Sequence, residues 1–186
     1  MGEVKKHPKC MRFVAAFSRH PVLLDWLWER VRATWGPTME VSIPFPFAES
    51  AYYQSSMGQN LLKQFAVLDL DYDPTDLADN KILTNEWEAE AKRSFDFSED
   101  RPLNIDPGYM SLTKIVLAST KNREHRIYLQ NGIYAEVTLA YREQQWKPME
   151  WTYPDYQRAD FREFFSHARK CLFRPYSGAT ASENER

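Results

Sequence analysis

Three carboxylates and a run of cationic and hydroxyl-bearing side chains in the C-terminal half are the residues best suited to chemistry. Ser119, Thr120, Lys121, Asn122, Arg123, His125 and Arg126 follow one another almost without interruption. Donors of this kind, backed by Lys and Arg, suit an oxyanion such as phosphate. Upstream, Arg101, Asn104, Asp106 and Tyr109 surround an Asp-Pro-Gly sequence at 106–108, and downstream Asp155 and Tyr156 close the segment WTYPDY. Asp106, Glu136 and Asp155 are the catalytic candidates, because a carboxylate can act as a general base or hold a metal ion. The ligand-binding candidates are Arg101, Asn104, Tyr109, Lys121, Asn122, His125, Arg126, Tyr128 and Tyr134.

The elements that must position these groups are read from apolar periodicity. Arg12–Phe17 (RFVAAF) is a short apolar run of the kind that forms a buried strand. Pro21 opens a helix carrying Leu23, Trp26, Leu27 and Val31, which Gly36-Pro37 stops. Met39–Phe47 reads as a second strand, its end loosened by Pro44 and Pro46. Tyr53, Met57, Leu61, Phe65 and Leu68 fall at helical spacing, which predicts a helix over 50–70. DLDYDPTD is a loop, 81–83 a short strand, and Asn85 with Glu88 a capping box opening a helix to about Arg93. Asp106-Pro107-Gly108 has the composition of a turn. Ile115–Ala118 is a strand, and Asp160 with Glu163 caps a last helix whose stripe is Phe161, Phe164, Phe165, Ala168 and Leu172.

The hairpin His125–Leu129 to Ile133–Tyr141 contains several of the candidates, so its register matters. A two-residue turn at Asn131-Gly132 pairs Ile127 with Glu136 and mixes polar with apolar side chains on both faces. A three-residue loop, Gln130-Asn131-Gly132, pairs Ile127 with Ala135, Tyr128 with Tyr134 and Arg126 with Glu136. That register sorts every side chain. It predicts a polar face of Arg126, Tyr128, Tyr134, Glu136 and Thr138 opposite an aliphatic one.

Composition removes several function classes. The 24 basic and 26 acidic residues give a net charge of −2. A general nucleic-acid coat needs a basic excess instead. None of the 6 glycines precedes a lysine and no two form a dinucleotide fingerprint, so the P-loop and GxGxxG motifs are absent. HExxH, GxSxG and paired-cysteine metal motifs are absent too. Cys10 and Cys171 offer no disulfide framework, which predicts a cytoplasmic protein. No apolar run reaches the ~18 residues of a membrane span, so no membrane association is expected.

The segments YYQSSMG (52–58), KILTNEWE (81–88), RPLNIDPGYM (101–110), KIVLASTKNREHRIYLQNGIYAEVTLAY (114–141) and WTYPDY (151–156) resemble a bacterial family described only as a domain of unknown function, DUF4416. The resemblance covers roughly residues 12–175 and carries no catalytic residues over to this chain. Its segments coincide with the polar turns and the hairpin face already singled out.

Together these readings predict an α+β fold with a mainly antiparallel sheet, a strand–helix–strand opening, a C-terminal β-hairpin and a packing helix. A polar arm occupies 1–11, one domain 12–176 and a disordered tail 177–186. The expected function is binding of an anionic, phosphate-bearing small molecule or nucleotide around the 101–126 loops and the 125–141 hairpin. The alternatives are a hydrolase or transferase using Asp106, Glu136 and Asp155, and a protein-interaction module. Residue types alone leave any cofactor unidentified.

Overall fold

In the computed structural model, residues 2–47 and 53–173 are described; the expected tail at 177–186 lies outside them. Among the described residues nine strands form one antiparallel sheet, in the spatial order β2-β4-β1-β5-β6-β8-β7, with β3 also beside β4 and β9 beside β8. The strands are β1 (Met11–Ser18), β2 (Thr38–Val41), β3 (Phe45–Phe47), β4 (Leu61–Asp71), β5 (Asn104–Met110), β6 (Lys114–Ser119), β7 (Ile127–Gln130), β8 (Ile133–Arg142) and β9 (Gln145–Pro148). Helices α1 (Pro21–Trp35), α2 (Gln54–Met57), α3 (Leu77–Ser94) and α4 (Ala159–Cys171) complete the fold.

β1 is central, and its apolar run follows from burial on both faces. Val14 and Ala16 meet Leu24, Leu27 and Val31 of α1 and Trp87 of α3. Phe13 and Ala15 face the other way, towards Phe161, Phe165 and Ala168 of α4. The sheet is therefore covered by α1 and α3 on one face and by α4 on the other. Phe161, Phe164, Phe165, Ala168 and Leu172 are all buried, as their stripe predicts. Asp160, however, lies inside α4 instead of at its N-cap, where its carboxylate pairs with Arg158 and accepts from the Phe161 amide.

The segment 61–71 departs from its expected helix. Leu61, Phe65 and Leu68 fit helical spacing, yet the same sequence alternates with period two. Phe65 and Val67 face α4, while Ala66 and Leu68 face α1. The short α2 ends at Gly58 (φ 78°) and Asn60 (φ 59°), two left-handed positions that stop a helix. Burial between β1 and β2 then decides for strand.

Three further readings are corrected. Residues 81–83 belong to α3, which begins at Leu77, so Asn85 and Glu88 sit within the helix and form no capping box. The Glu88 carboxylate instead accepts a hydrogen bond from the Ile105 amide, 2.7 Å away. Asp106-Pro107-Gly108 is not a turn: all three lie in β5, paired with Ala15, Val14 and Phe13 of β1. Proline is tolerated there because β6 joins β5 only from Gly108 onward. At Gly108 a Cβ would stand 2.4 Å from the Val116 carbonyl oxygen and 2.6 Å from the Phe13 ring, so the close approach requires glycine.

The hairpin combines both alternatives. Its turn is the two-residue one, Asn131 (φ 52°) and Gly132 (φ 77°), with Gln130 opposite Ile133. A bulge at Leu129 then shifts the register, so that Ile127 meets Ala135 and Tyr128 meets Tyr134. The sorted register survives although the three-residue loop does not form. Its aliphatic face is only partly covered, because β7 is the edge strand: Ile127 is 72% exposed.

Candidate functional site

The late joining of β5 and β6 creates a seam. Asn104 to Pro107 pair with β1 alone, while Ala118 and Ser119 at the far end of β6 pair with β8 alone. The sheet opens between them. The 3-10 turn Pro154–Gln157 and the β6–β7 loop border the opening, and it encloses a cavity of about 360 Å³.

Six cationic side chains line this cavity, Lys63, Lys81, Arg101, Lys121, Arg123 and Arg126, against three carboxylates, Asp106, Glu136 and Asp155. Each carboxylate has a cationic partner. Lys63, on the β4 face towards α4, is only 3% exposed and donates to Asp155 Oδ2 at 2.5 Å. Its ammonium also lies 4.4 Å from the Tyr156 ring centre and within 6 Å of Phe17, Phe47, Phe65 and Phe161, a cation–π enclosure. Lys81 comes from the buried side of α3. It donates to the Ile105 carbonyl at 2.6 Å and to Asp106 Oδ1 at 3.1 Å, while Asn104 donates to Asp106 Oδ2 at 2.7 Å. Burial pushes the Asp106 carboxyl up, but the Lys81 and Lys63 charges and the donors from Lys81 and Asn104 outweigh it and hold it below its ordinary 3.8.

Arg126 is the keystone of the opposite wall. Its Nε donates to Glu136 at 2.7 Å, Nη1 to Ser119 Oγ at 2.7 Å and to the Lys121 carbonyl at 2.9 Å, and Nη2 to the Tyr153 hydroxyl at 3.2 Å. Four of its five N–H groups are thus used to pin the 119–121 segment and Tyr153 to β8. Burial lowers its affinity for a proton, but the Glu136 hydrogen bond and charge reverse that and raise it. Arg101 is held from behind by Glu88, at 2.8 and 3.1 Å. Burial moves the Glu88 carboxyl above its ordinary value despite Lys81 and Arg101.

The aromatic side is formed by Phe17, Phe47 and Tyr53, with ring centres 4.8 Å apart for the Phe17–Phe47 and Phe17–Tyr53 pairs. Tyr156 completes the floor. It is 2% exposed, and its hydroxyl has no hydrogen-bond partner among the described residues. Burial raises its pKa well above the ordinary value, and Asp155, Asp106 and Glu136 add to the effect. The hydroxyl therefore keeps its proton and can serve as a donor at the cavity floor.

Of the residues singled out from sequence, Arg101, Asn104, Asp106, Lys121, Arg126, Glu136 and Asp155 line this one cavity. His125 stands behind it, 3.3 Å from Glu136 and stacked on Trp151 at 5.1 Å, lining a shallow depression that shares Arg123, Arg126 and Tyr153 with the cavity rim. Asn122 is exposed in the adjoining loop. Tyr109 packs against Tyr72, ring centres 6.1 Å apart. Tyr128 and Tyr134 pair with each other at 5.3 Å on the hairpin. None of these last four lines the cavity. Sequence reasoning missed Lys63 and Lys81, which bring buried charge to the floor. The available signal was a lysine on an otherwise apolar strand face and another on the apolar side of a helix.

Residues 8–171 match the family described as a domain of unknown function, DUF4416. The chain belongs to that family. No curated protein and no solved structure matches it. The DUF4416 match spans every element that lines the cavity, from β1 to the 3-10 turn Pro154–Gln157. Among the described residues, no group of three or more His, Cys, Asp or Glu side chains is arranged to hold a metal ion, and no helix is long and apolar enough to cross a membrane.

Proposed function

We propose that the cavity at the β5–β6 seam binds a small anionic, phosphate-bearing molecule. The observation that carries this reading is the charge of the lining: six cations against three carboxylates in a concavity of about 360 Å³. Glu88 offsets Arg101 from behind, and an oxyanion would meet the rim cations through charge-assisted hydrogen bonds. Lys121 and Arg123, at the rim, and Arg101 are the cations through which it enters.

The partners of the carboxylates favour recognition over hydrolysis or group transfer. A general base works best with a proton affinity near the operating pH, and Asp106 is held below the ordinary carboxylate range. An interaction role has one supporting feature, the exposed Ile127, Tyr128 and Leu129 on the edge strand. A cytoplasmic setting fits the two free thiols, Cys10 and Cys171.

The test is thermal unfolding with inorganic phosphate and pyrophosphate, using chloride at matched ionic strength as control. A ligand at about 100 times its Kd stabilises by about 2.7 kcal/mol. Stabilisation by phosphate that is lost in Lys121→Ala/Arg123→Ala supports the site. Equal melting temperatures in phosphate and chloride count against it.

A further inference from the structure

The floor of the cavity poses a problem that anion binding does not solve. Asp106, Glu136 and Asp155 repel an oxyanion, and an ionised carboxylate can only accept hydrogen bonds. Each is tied to one cation, yet acceptor capacity remains: Asp155 uses Oδ2 for Lys63, and Oδ1 receives no hydrogen bond among the described residues. Beside them the Tyr156 O–H is buried with no acceptor among the described residues. Lys63 directs one N–H at Asp155 and otherwise faces aromatic rings. The floor thus asks its occupant for donors and acceptors together, at neutral groups, while the rim asks for an anion. The Phe17–Phe47–Tyr53 wall asks for an apolar face.

We infer that the ligand is a phosphorylated sugar or polyol, with its phosphate at the rim cations and its hydroxyl groups on the floor. This rests on the anion-binding reading and narrows it. A hydroxyl both donates and accepts, so one group can donate to a carboxylate and accept from Tyr156 or Lys63. The C–H face of a sugar ring supplies the apolar surface for the aromatic wall. Size agrees: a cavity of about 360 Å³ is near the lower end of the ~300–1,000 Å³ range of small-molecule sites, room for one ring and its phosphate.

The experiment is a calorimetric titration of the full chain with D-ribose 5-phosphate, D-glucose 6-phosphate, phenyl phosphate, inorganic phosphate and the two unphosphorylated sugars. At least one sugar phosphate is expected to bind about tenfold or more tightly than inorganic phosphate and phenyl phosphate. Tyr156→Phe removes only an unpartnered O–H, so the fold should be unaffected. Its sugar-phosphate Kd should rise roughly three- to tenfold, with inorganic phosphate unchanged. Sugar phosphates no tighter than inorganic phosphate overturn the inference and leave the anion site standing; tighter phenyl phosphate overturns it in favour of an aromatic occupant. If no phosphate compound binds, the anion site falls as well. Should Tyr156→Phe perturb folding, the ranking of probes on the unaltered protein still decides.

Discussion

Replacing Lys63 by Met keeps an unbranched apolar stem in place but leaves the Asp155 carboxylate without its cation. Both partners are almost fully buried, with side-chain exposures of 4% and 7%, and their 2.5 Å contact ties β4 to the turn that closes the cavity floor. Removing one member of a buried pair costs about 3–5 kcal/mol, most of it the penalty of the stranded charge. Replacing both, as Lys63→Met/Asp155→Leu, removes that penalty, and the double variant should recover about 2 kcal/mol or more of the loss. Urea denaturation reads this directly: at a slope of roughly 2–3 kcal/mol per molar, the single variant shifts the midpoint down by about 1 M or more. A single-variant loss below about 1 kcal/mol, or a double variant no more stable than the single, refutes the view that this pair is a buried structural clamp.

Other expectations follow from packing and charge. Phe165→Ala should cost about 3–5 kcal/mol in urea denaturation, because Phe165 is fully buried against Phe13, Phe65 and Tyr156. Gly108→Ala should cost about 1–3 kcal/mol or more by the same measurement, since the new methyl meets the Val116 carbonyl at 2.4 Å. Asp106 has its folded proton affinity depressed below 3.8, so the unfolded chain binds more protons between the two values and stability rises with pH there. Its contribution is present above the ordinary value and lost as pH falls through the folded one. Acid titration of the melting temperature should be shallower below about pH 4 in Asp106→Asn than in the unaltered protein.

Features set by neighbours in sequence were legible in advance, and features set by distant partners were not. The α4 stripe, the Pro21 helix start and the β1 run each declare themselves within a dozen residues. The hairpin register could be reasoned out because Arg126 and Glu136 are 10 residues apart and only one alignment sorts the side chains. Even there the bulge at Leu129 escaped, since a two-residue turn with a bulge and a three-residue loop produce the same pairing beyond it. Lys63 is not singled out by its neighbours, because Leu61, Phe65 and Leu68 satisfy both periodicities and it lies off the stripe of the expected helix over 50–70. Its partner Asp155 is 92 positions away, and no local pattern links them. Asp106-Pro107-Gly108 was read as a turn from composition. Strand was chosen by an environment that composition does not contain: β1 on one side, and an open seam on the other that spares proline a ladder partner. The polar candidates at 101–126 were found because cation-rich loops stand out. The cavity that gathers them depends on where β6 leaves β5.

The claim that this cavity takes an oxyanion is tested most directly by a crystal structure with tungstate, a tetrahedral phosphate analogue whose anomalous signal locates it without ambiguity. An anomalous peak inside the cavity, with tungstate oxygens within about 3 Å of donors from Lys121, Arg123 or Arg101, is the predicted result. Peaks confined to other surfaces, with the cavity holding none at a concentration that saturates them, would contradict it.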